Sequence, residues 1–265
     1  MARRPVLVTG AGGRLGRLLR ALWPTQGADA IFLTRAEWDI LAGPVPDLPK
    51  AAVLLDLSGA VRGDFSLNPR LARRTADVTR QLGGRLLYVS TASVYPGGPE
   101  DMAEDRSPAP ASDYGRSKVA AEAEVFATDP TARVLRLGNI AGADALLSQR
   151  NLVPSVVLDP VSAGPCGPIR SYIGPHMLAQ VLAEICTLAA SDSDLPAILN
   201  VAQPGEVAMA DLLGAAGMEW VFGPFRAGVI ERAVLSTLLL ERLVPVAPAT
   251  AASVVADLDC LGKWP

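Results

Sequence analysis

"VLVTGAGGRLGRLL", Val6 to Leu19, carries three structural signals in one short run. Val6–Thr9 are apolar or β-branched, as an interior strand requires. Gly10, Gly13 and Gly16 follow at intervals of three. Leu15, Leu18, Leu19 and Leu22 then recur at i, i+3, i+4, i+7, which is a helix face. Strand, glycine turn and helix in this order suit a phosphate ligand. Gly10 permits a tight turn, Gly13 lets backbone approach a pyrophosphate, and Gly16 lets the helix pack on the strand. The helix N-terminus offers N–H groups to the anion. A plain glycine-rich connector is the alternative, and the strand–turn–helix context favours dinucleotide binding. Gly12, Arg14 and Leu15 lie in the same turn and are further candidates for cofactor contact.

The alternation continues outward. Strands are expected at Ala30–Leu33, Ala52–Leu57, Arg85–Ser90 and Val134–Leu137, with helices at Pro69–Leu82 and Asp113–Phe126. Pro24 and Gly27 end the first helix. The class is α/β: a Rossmann-type, doubly wound parallel sheet with a small C-terminal substrate lobe. The second half is less regular. Leu158–Pro168 reads as loop, His176–Ala190 as helix, "AILNVA" as a late strand, and Ala210–Ala216 and Val229–Leu243 as helices. A soft boundary near Gly142 gives a dinucleotide-binding core (1–142) and a smaller lobe (143–265).

Composition narrows the function. A chain of 265 residues buries a sizeable core. The net charge is −3 and no basic run occurs, so nucleic acid is not an expected partner. The apolar run behind "MARRP" is cut by Thr9 and Gly10, unlike a signal peptide. Ala233–Val246 contains Glu241 and Arg242 and falls short of the roughly 20 residues that cross a bilayer. A cytoplasmic protein without a membrane partner is expected. Cys166, Cys186 and Cys260 lack metal spacing and read as reduced, mostly buried thiols. With His176 alone, neither a His-based metal site nor a Ser-His-Asp triad has support, and no metal is expected.

The second strand refines the cofactor. An acid commonly ends it and binds the ribose of NAD. Here Thr34 and Arg35 stand in that place. Arg35, helped by Arg14, suits a 2′-phosphate, which favours NADP over NAD. In the alternative, both arginines are solvated and Glu37 or Asp39 reaches a ribose.

"LLYVSTASVYP", Leu86 to Pro96, starts as a buried strand and ends in hydroxyls. These either close the strand on nearby backbone or serve chemistry at the carboxyl end of the sheet. "DYGRSK" places Tyr114 and Lys118 at i and i+4 on one helix face. A free tyrosine has a pKa of about 10. A cation one turn away favours the phenolate and suits the tyrosine to acid–base work.

"TGAGGRLG", "YVSTASVY", "EDRSPAPASDYGRSK", "LRLGNIAG", "IRSYIGPHMLA", "ILNVAQPGEVAMADLL" and the closing "LGKWP", in this order, resemble the extended, epimerase/dehydratase-like branch of the short-chain dehydrogenase/reductases. The resemblance implies that Tyr114 is the acid/base and Lys118 its partner. It selects Thr91, three residues before Val94-Tyr95, to bind the substrate oxygen. Ser58, Gly59 and Ala60, with Ser90 and Leu137, would line the cofactor. Asn68 would match a family asparagine, and Asn139 and Arg170 would meet substrate. Departures matter as well. Dehydratases of this branch carry Asp-Glu after the threonine, where this chain has Ala92-Ser93. His176 is displaced from the usual histidine by Gly174-Pro175. The expectation is therefore an NAD(P)-dependent reductase of a carbonyl/alcohol pair in a small molecule, including a sugar or nucleotide-sugar. The alternatives are an epimerase of the same family and a non-catalytic NADP-binding sensor or assembly protein. The family also suggests a homodimer through the helices at 69–82 and 113–126.

Overall fold

The computed structural model describes residues 4–24, 29–150, 152–162, 164, 166–191 and 193–262. Gly27 and the Lys263–Pro265 end of "LGKWP" lie outside the described residues. The main sheet contains β1 (Val6–Thr9), β2 (Ala30–Phe32), β3 (Val53–Asp56), β4 (Arg85–Thr91), β5 (Arg133–Leu137) and the late strand Ile198–Val201. Its order is late strand, β5, β4, β3, β1, β2. β1 pairs in parallel with both β2 and β3, and β3 with β4. Every residue of β1 and β3 is buried, which explains why these strands read as unbroken apolar runs. The chain turns to one side of β1 for β2 and to the other for β3. The glycine turn after β1 thus sits at the switch point of the sheet, where open α/β folds take ligands.

Helices α1 (Arg14–Leu22), α2 (Leu67–Gln81) and α3 (Asp113–Thr128) cover the sheet. Leu7, Leu54, Leu86 and Tyr88 pack with Ala72, Ala76 and Val78 of α2 and with Ala121 and Val125 of α3. The alanines on the inner helix faces allow close approach to the strands. Expected and observed boundaries of these elements agree to within two residues, because burial on both faces and a clear period of 3.6 leave little choice.

The chain forms two compact units, each of three segments. Met1–Val94, Pro108–Arg136 and Ala179–Leu199 make one, and Tyr95–Ser107, Leu137–Leu178 and Asn200–Pro265 the other. The expected division near Gly142 placed one cut in the chain, whereas these units interleave. In the second unit, strand Ile169–Arg170 lies between Val207–Ala208, antiparallel, and Arg232–Ala233, parallel. Helix α4 (Pro175–Ala190) spans the junction of segments, and α5 (Met209–Ala215), α6 (Leu238–Leu243) and α7 (Ala251–Asp259) follow.

Three expectations are corrected. Val229–Leu243 is not one helix: Arg232–Ala233 is strand and only Leu238–Leu243 is helical. The carbonyls of Glu231, Ala233 and Val234 accept from Ile169, Ser171 and Met102 at 2.8, 3.3 and 2.7 Å, so tertiary pairing overrides the helical pattern. Helix α7 was not foreseen, although Thr250 and Ser253 form a capping box at its start. The cysteines are not mostly buried: Cys186 is buried on α4, while Cys166 and Cys260 are exposed. Among the described residues, no helix is long and apolar enough to cross a membrane.

Candidate active site

The glycine turn is shaped by contacts that only glycine permits. Gly10 has φ +69°, and a Cβ there would lie 2.8 Å from the Leu57 carbonyl carbon and the Ser58 nitrogen. A Cβ on Gly16 would lie 2.5 Å from Ala11 Cα and from the Gly10 oxygen. Gly13 is the extended N-cap of α1 and brings no side-chain cap, which suits the first-turn N–H groups to an anion. Gly12 is exposed and faces Thr34, whose Cβ would be 3.8 Å from a Cβ at that position. Arg14 is exposed and Leu15 half-buried at the start of α1. This cradle fits a dinucleotide pyrophosphate.

At the end of β2, both candidate ribose acids turn back on their own loop. Glu37 accepts from Thr34 N and Oγ1, each at 2.6 Å. Asp39 accepts from Arg35 Nε at 2.9 Å and from the Leu41 and Ala42 N–H groups at 3.2 Å. The Thr34 hydroxyl holds the Glu37 carboxyl below its usual range, and the Arg35 guanidinium does so for Asp39. The Arg35 side chain is 85% exposed.

The loop after β3 is fixed by two buried polar side chains. Asp56 is fully buried. It accepts from Thr9 Oγ1 (2.7 Å), Ser58 N (2.8 Å), Ser58 Oγ (2.5 Å) and Thr75 Oγ1 (2.7 Å). It thereby ties β1, α2 and the Ser58–Ala60 loop together. Asn68 accepts from Ala60 N at 2.7 Å, donates to Ala60 O at 3.0 Å, and donates to Ser117 Oγ of α3 at 2.9 Å. Asp56 escaped the sequence reading. Its signal was a carboxylate inside an apolar strand.

Thr91 ends β4, and its Oγ1 accepts from Ser93 N at 3.2 Å as the chain enters the Ala92–Val94 turn. The same hydroxyl faces the Tyr114 phenol closely enough to act on its pKa. Of the two roles considered for the hydroxyl end of β4, the bond to nearby backbone is the one seen at Thr91. Gly115 makes the approach feasible, since a Cβ there would lie 2.3 Å from Ser93 O. Ser112 caps α3 by accepting from Gly115 N at 3.0 Å. Phe65 stands beside Tyr114 with ring centroids 5.9 Å apart. Burial pushes the Tyr114 phenol above its usual pKa, and the nearby Thr91 hydroxyl acts in the opposite sense.

Lys118 is buried and departs from the expected pairing. Its Nζ donates to Val89 O at 2.7 Å and lies 2.6 Å from Tyr88 Oη. Burial lowers its pKa to about 8, against the opposing pull of Asp56 and Glu122. Ser90, expected at the cofactor, donates its hydroxyl to Glu122 on α3. Glu122 also takes Arg136 Nε at 3.1 Å and Nη2 at 2.7 Å, a buried ion pair.

Leu137, Asn139 and Arg170 lie in the second unit. Leu137 is buried at the end of β5. Asn139 pairs with Tyr172 in a short parallel bridge, and its side chain lies close enough to the Tyr172 hydroxyl to act on its pKa. Arg170 donates to Ile169 O (2.8 Å), Glu231 O (3.3 Å) and Ile230 O (2.7 Å). Its guanidinium is thus largely engaged by backbone. His176 Nδ1 bonds Asp257 Oδ1 at 2.8 Å, and Asp257 accepts from His176 N and Met177 N at the start of α4. Gly174 is required there, because a Cβ would lie 2.2 Å from Asp257 Oδ2.

Comparison with known proteins finds relatives over part of the chain and solved structures of the same fold. Residues 60–158 match the RmlD substrate binding domain. A dTDP-4-dehydrorhamnose reductase of Mycobacterium tuberculosis is 31% identical over 147 residues, covering 49% of this chain and 48% of that protein. The chain spans about half the length of the curated relatives it matches. The structure of a dTDP-4-dehydrorhamnose reductase ortholog from Clostridium acetobutylicum has TM-score 0.77 at 17% identity, covering 98% of this chain and 100% of that one. The Bacillus anthracis reductase in complex with NADP has TM-score 0.77 at 18% identity, covering 98% and 99%. The chain shares the Rossmann-type fold of these extended short-chain dehydrogenase/reductases.

Proposed function

We propose that the chain is a short-chain reductase that uses NADP, in preference to NAD, to reduce the carbonyl of a nucleotide-linked ketosugar. One observation carries the reading: the Thr91 hydroxyl, at the carboxyl end of β4, lies close enough to the Tyr114 phenol to act on its pKa. The glycine turn and Ser58–Ala60 would hold the dinucleotide, with Arg35 and Arg14 on its 2′-phosphate. Bound there, the cofactor supplies the hydride. Thr91 orients the substrate oxygen. Tyr114 gives that oxygen its phenolic proton, and its raised pKa keeps the proton in place at neutral pH. Ala92 and Ser93 offer no carboxylate for eliminating water. The activity named for the curated relatives supports a ketosugar substrate, and the NADP of the Bacillus anthracis structure supports the cofactor. Asn139 as a substrate contact, and a homodimer through α2 and α3, belong to the same proposal. Arg170 joins it as a substrate contact, with its guanidinium fixed by the Ile169, Ile230 and Glu231 carbonyls.

The test is NADPH oxidation with dTDP-4-dehydrorhamnose by the natural chain and by Tyr114→Phe. Turnover is expected, with a loss of about 100-fold or more in the variant. A folded, NADPH-binding protein that turns over no ketosugar nucleotide would overturn the reading, as would a fully active Tyr114→Phe.

A further inference from the structure

Lys118 is held by neutral partners although two carboxylates lie within electrostatic reach. Asp56 on β3 is engaged by Thr9, Ser58 and Thr75. Glu122, one turn further along α3, is engaged by Ser90 and Arg136 of β5. The ammonium is left to Tyr88 Oη and Val89 O. Nζ also lies 4.1 Å from the centre of the Tyr88 ring and 3.9 Å from the place a Cβ on Gly59 would take. The two elements mesh by period. Tyr88 and Ser90 stand two apart on β4, and they meet Lys118 and Glu122, four apart on α3.

We infer that Tyr88 is a positioning residue for the proposed reduction: its buried hydroxyl anchors the Lys118 ammonium beside the Gly59 loop with a neutral partner in place of a carboxylate. The inference rests on the reductase reading for its purpose and on this packing for its geometry. A carboxylate partner would lock the charge on Lys118. A phenol that burial keeps protonated leaves the lysine able to exchange its proton near pH 8. The charged and titratable groups around it are Asp56, Tyr88, Tyr114 and Glu122, with Arg136 behind Glu122.

The experiment uses Tyr88→Phe, which keeps the ring and removes only the hydroxyl. The sequence has three lysines, Lys50, Lys118 and Lys263, so isotope-labelled lysine gives a readable NMR titration of Lys118 without substrate. Loss of an acceptor from a buried ammonium should lower the Lys118 midpoint by about one pH unit. The acid–base profile of turnover should move with it, with kcat reduced more than the KM for sugar. An unchanged midpoint with only a lower Tm would overturn the inference. Site-specific 3-fluorotyrosine at position 88 retains the fold and should also shift the midpoint. An unchanged midpoint there would count equally against the inference. A chain that reduces no ketosugar but shows the shift would retain the anchor and lose only the reductase reading.

Discussion

Asn68 holds Ala60 by both of its backbone polar groups, accepting from the N–H at 2.7 Å and donating to the carbonyl at 3.0 Å. A third bond, to Ser117 Oγ at 2.9 Å, ties the same amide to α3 at the residue before Lys118. One side chain therefore sets the loop expected to line the cofactor and secures it to the helix that carries Tyr114.

Asn68→Ala should destabilise the protein by about 1–3 kcal/mol, because it leaves buried polar groups unpaired. NADPH affinity should fall as well, because the Ser58–Ala60 loop loses its clamp. Urea denaturation and fluorescence titration check the two parts. A stability loss with unaltered affinity would separate the loop from the cofactor.

Gly16→Ala and Gly12→Ala should differ sharply. The first puts a Cβ 2.5 Å from backbone of Ala11 and Gly10, while the second meets nothing closer than Thr34 at 3.8 Å. The Gly16 variant should lose about 1–3 kcal/mol or fail to fold. The Gly12 variant should melt near the parent. Thermal denaturation of the pair decides this, and equal melting would contradict the packing described for α1 on β1.

Glu122→Ala should be among the most destabilising single changes. It removes the carboxylate of the pair from Arg136, whose side chain is 2% exposed. Breaking a buried pair from one side costs about 3–5 kcal/mol. Guanidinium denaturation measures it, and a loss below about 1 kcal/mol would mean that water or another acceptor reaches Arg136.

Arg35→Ala should weaken NADPH binding by roughly 10-fold and leave NADH binding unaltered, as expected for a charge-assisted contact to the 2′-phosphate. Titration with both nucleotides reads the ratio. Equal effects on the two would assign Arg35 to its Asp39 ion pair alone.

Asp144 gives the second unit a pH signature. Burial raises its pKa to about 6, against the bonds it accepts from Leu147 N and Tyr172. The unfolded carboxyl titrates near roughly 3.9. Between these values the folded chain holds a proton that the unfolded chain has released, so this group's stabilisation is complete below about pH 4 and is lost as pH rises to about 6. Tm measured from pH 4 to 7 should fall with rising pH relative to Asp144→Asn. Parallel curves for the two proteins would refute the assignment.

The central sheet was legible because its signals are local. A strand buried on both faces is a continuous apolar run, and the glycine turn must follow it at once. The helix from Leu67 to Gln81 shows its period plainly. Val229–Leu243 misled because its amphipathic pattern is real, yet its backbone is claimed by Ile169, Ser171 and Met102 from distant positions. Cys166 and Cys260 misled because residue type predicts burial only on average.

By itself, the sequence determined the succession of strands and helices up to Leu137, the cradle Gly10–Gly16 and the identity of Thr91, Tyr114 and Lys118 as the polar groups worth watching. Only the tertiary structure decided who partners whom. Lys118 is one turn from Tyr114 in sequence, but its ammonium meets Tyr88, thirty residues away. Helical spacing places the base of a side chain on a face, whereas a long flexible side chain ends where the packed sheet beneath that helix offers an acceptor.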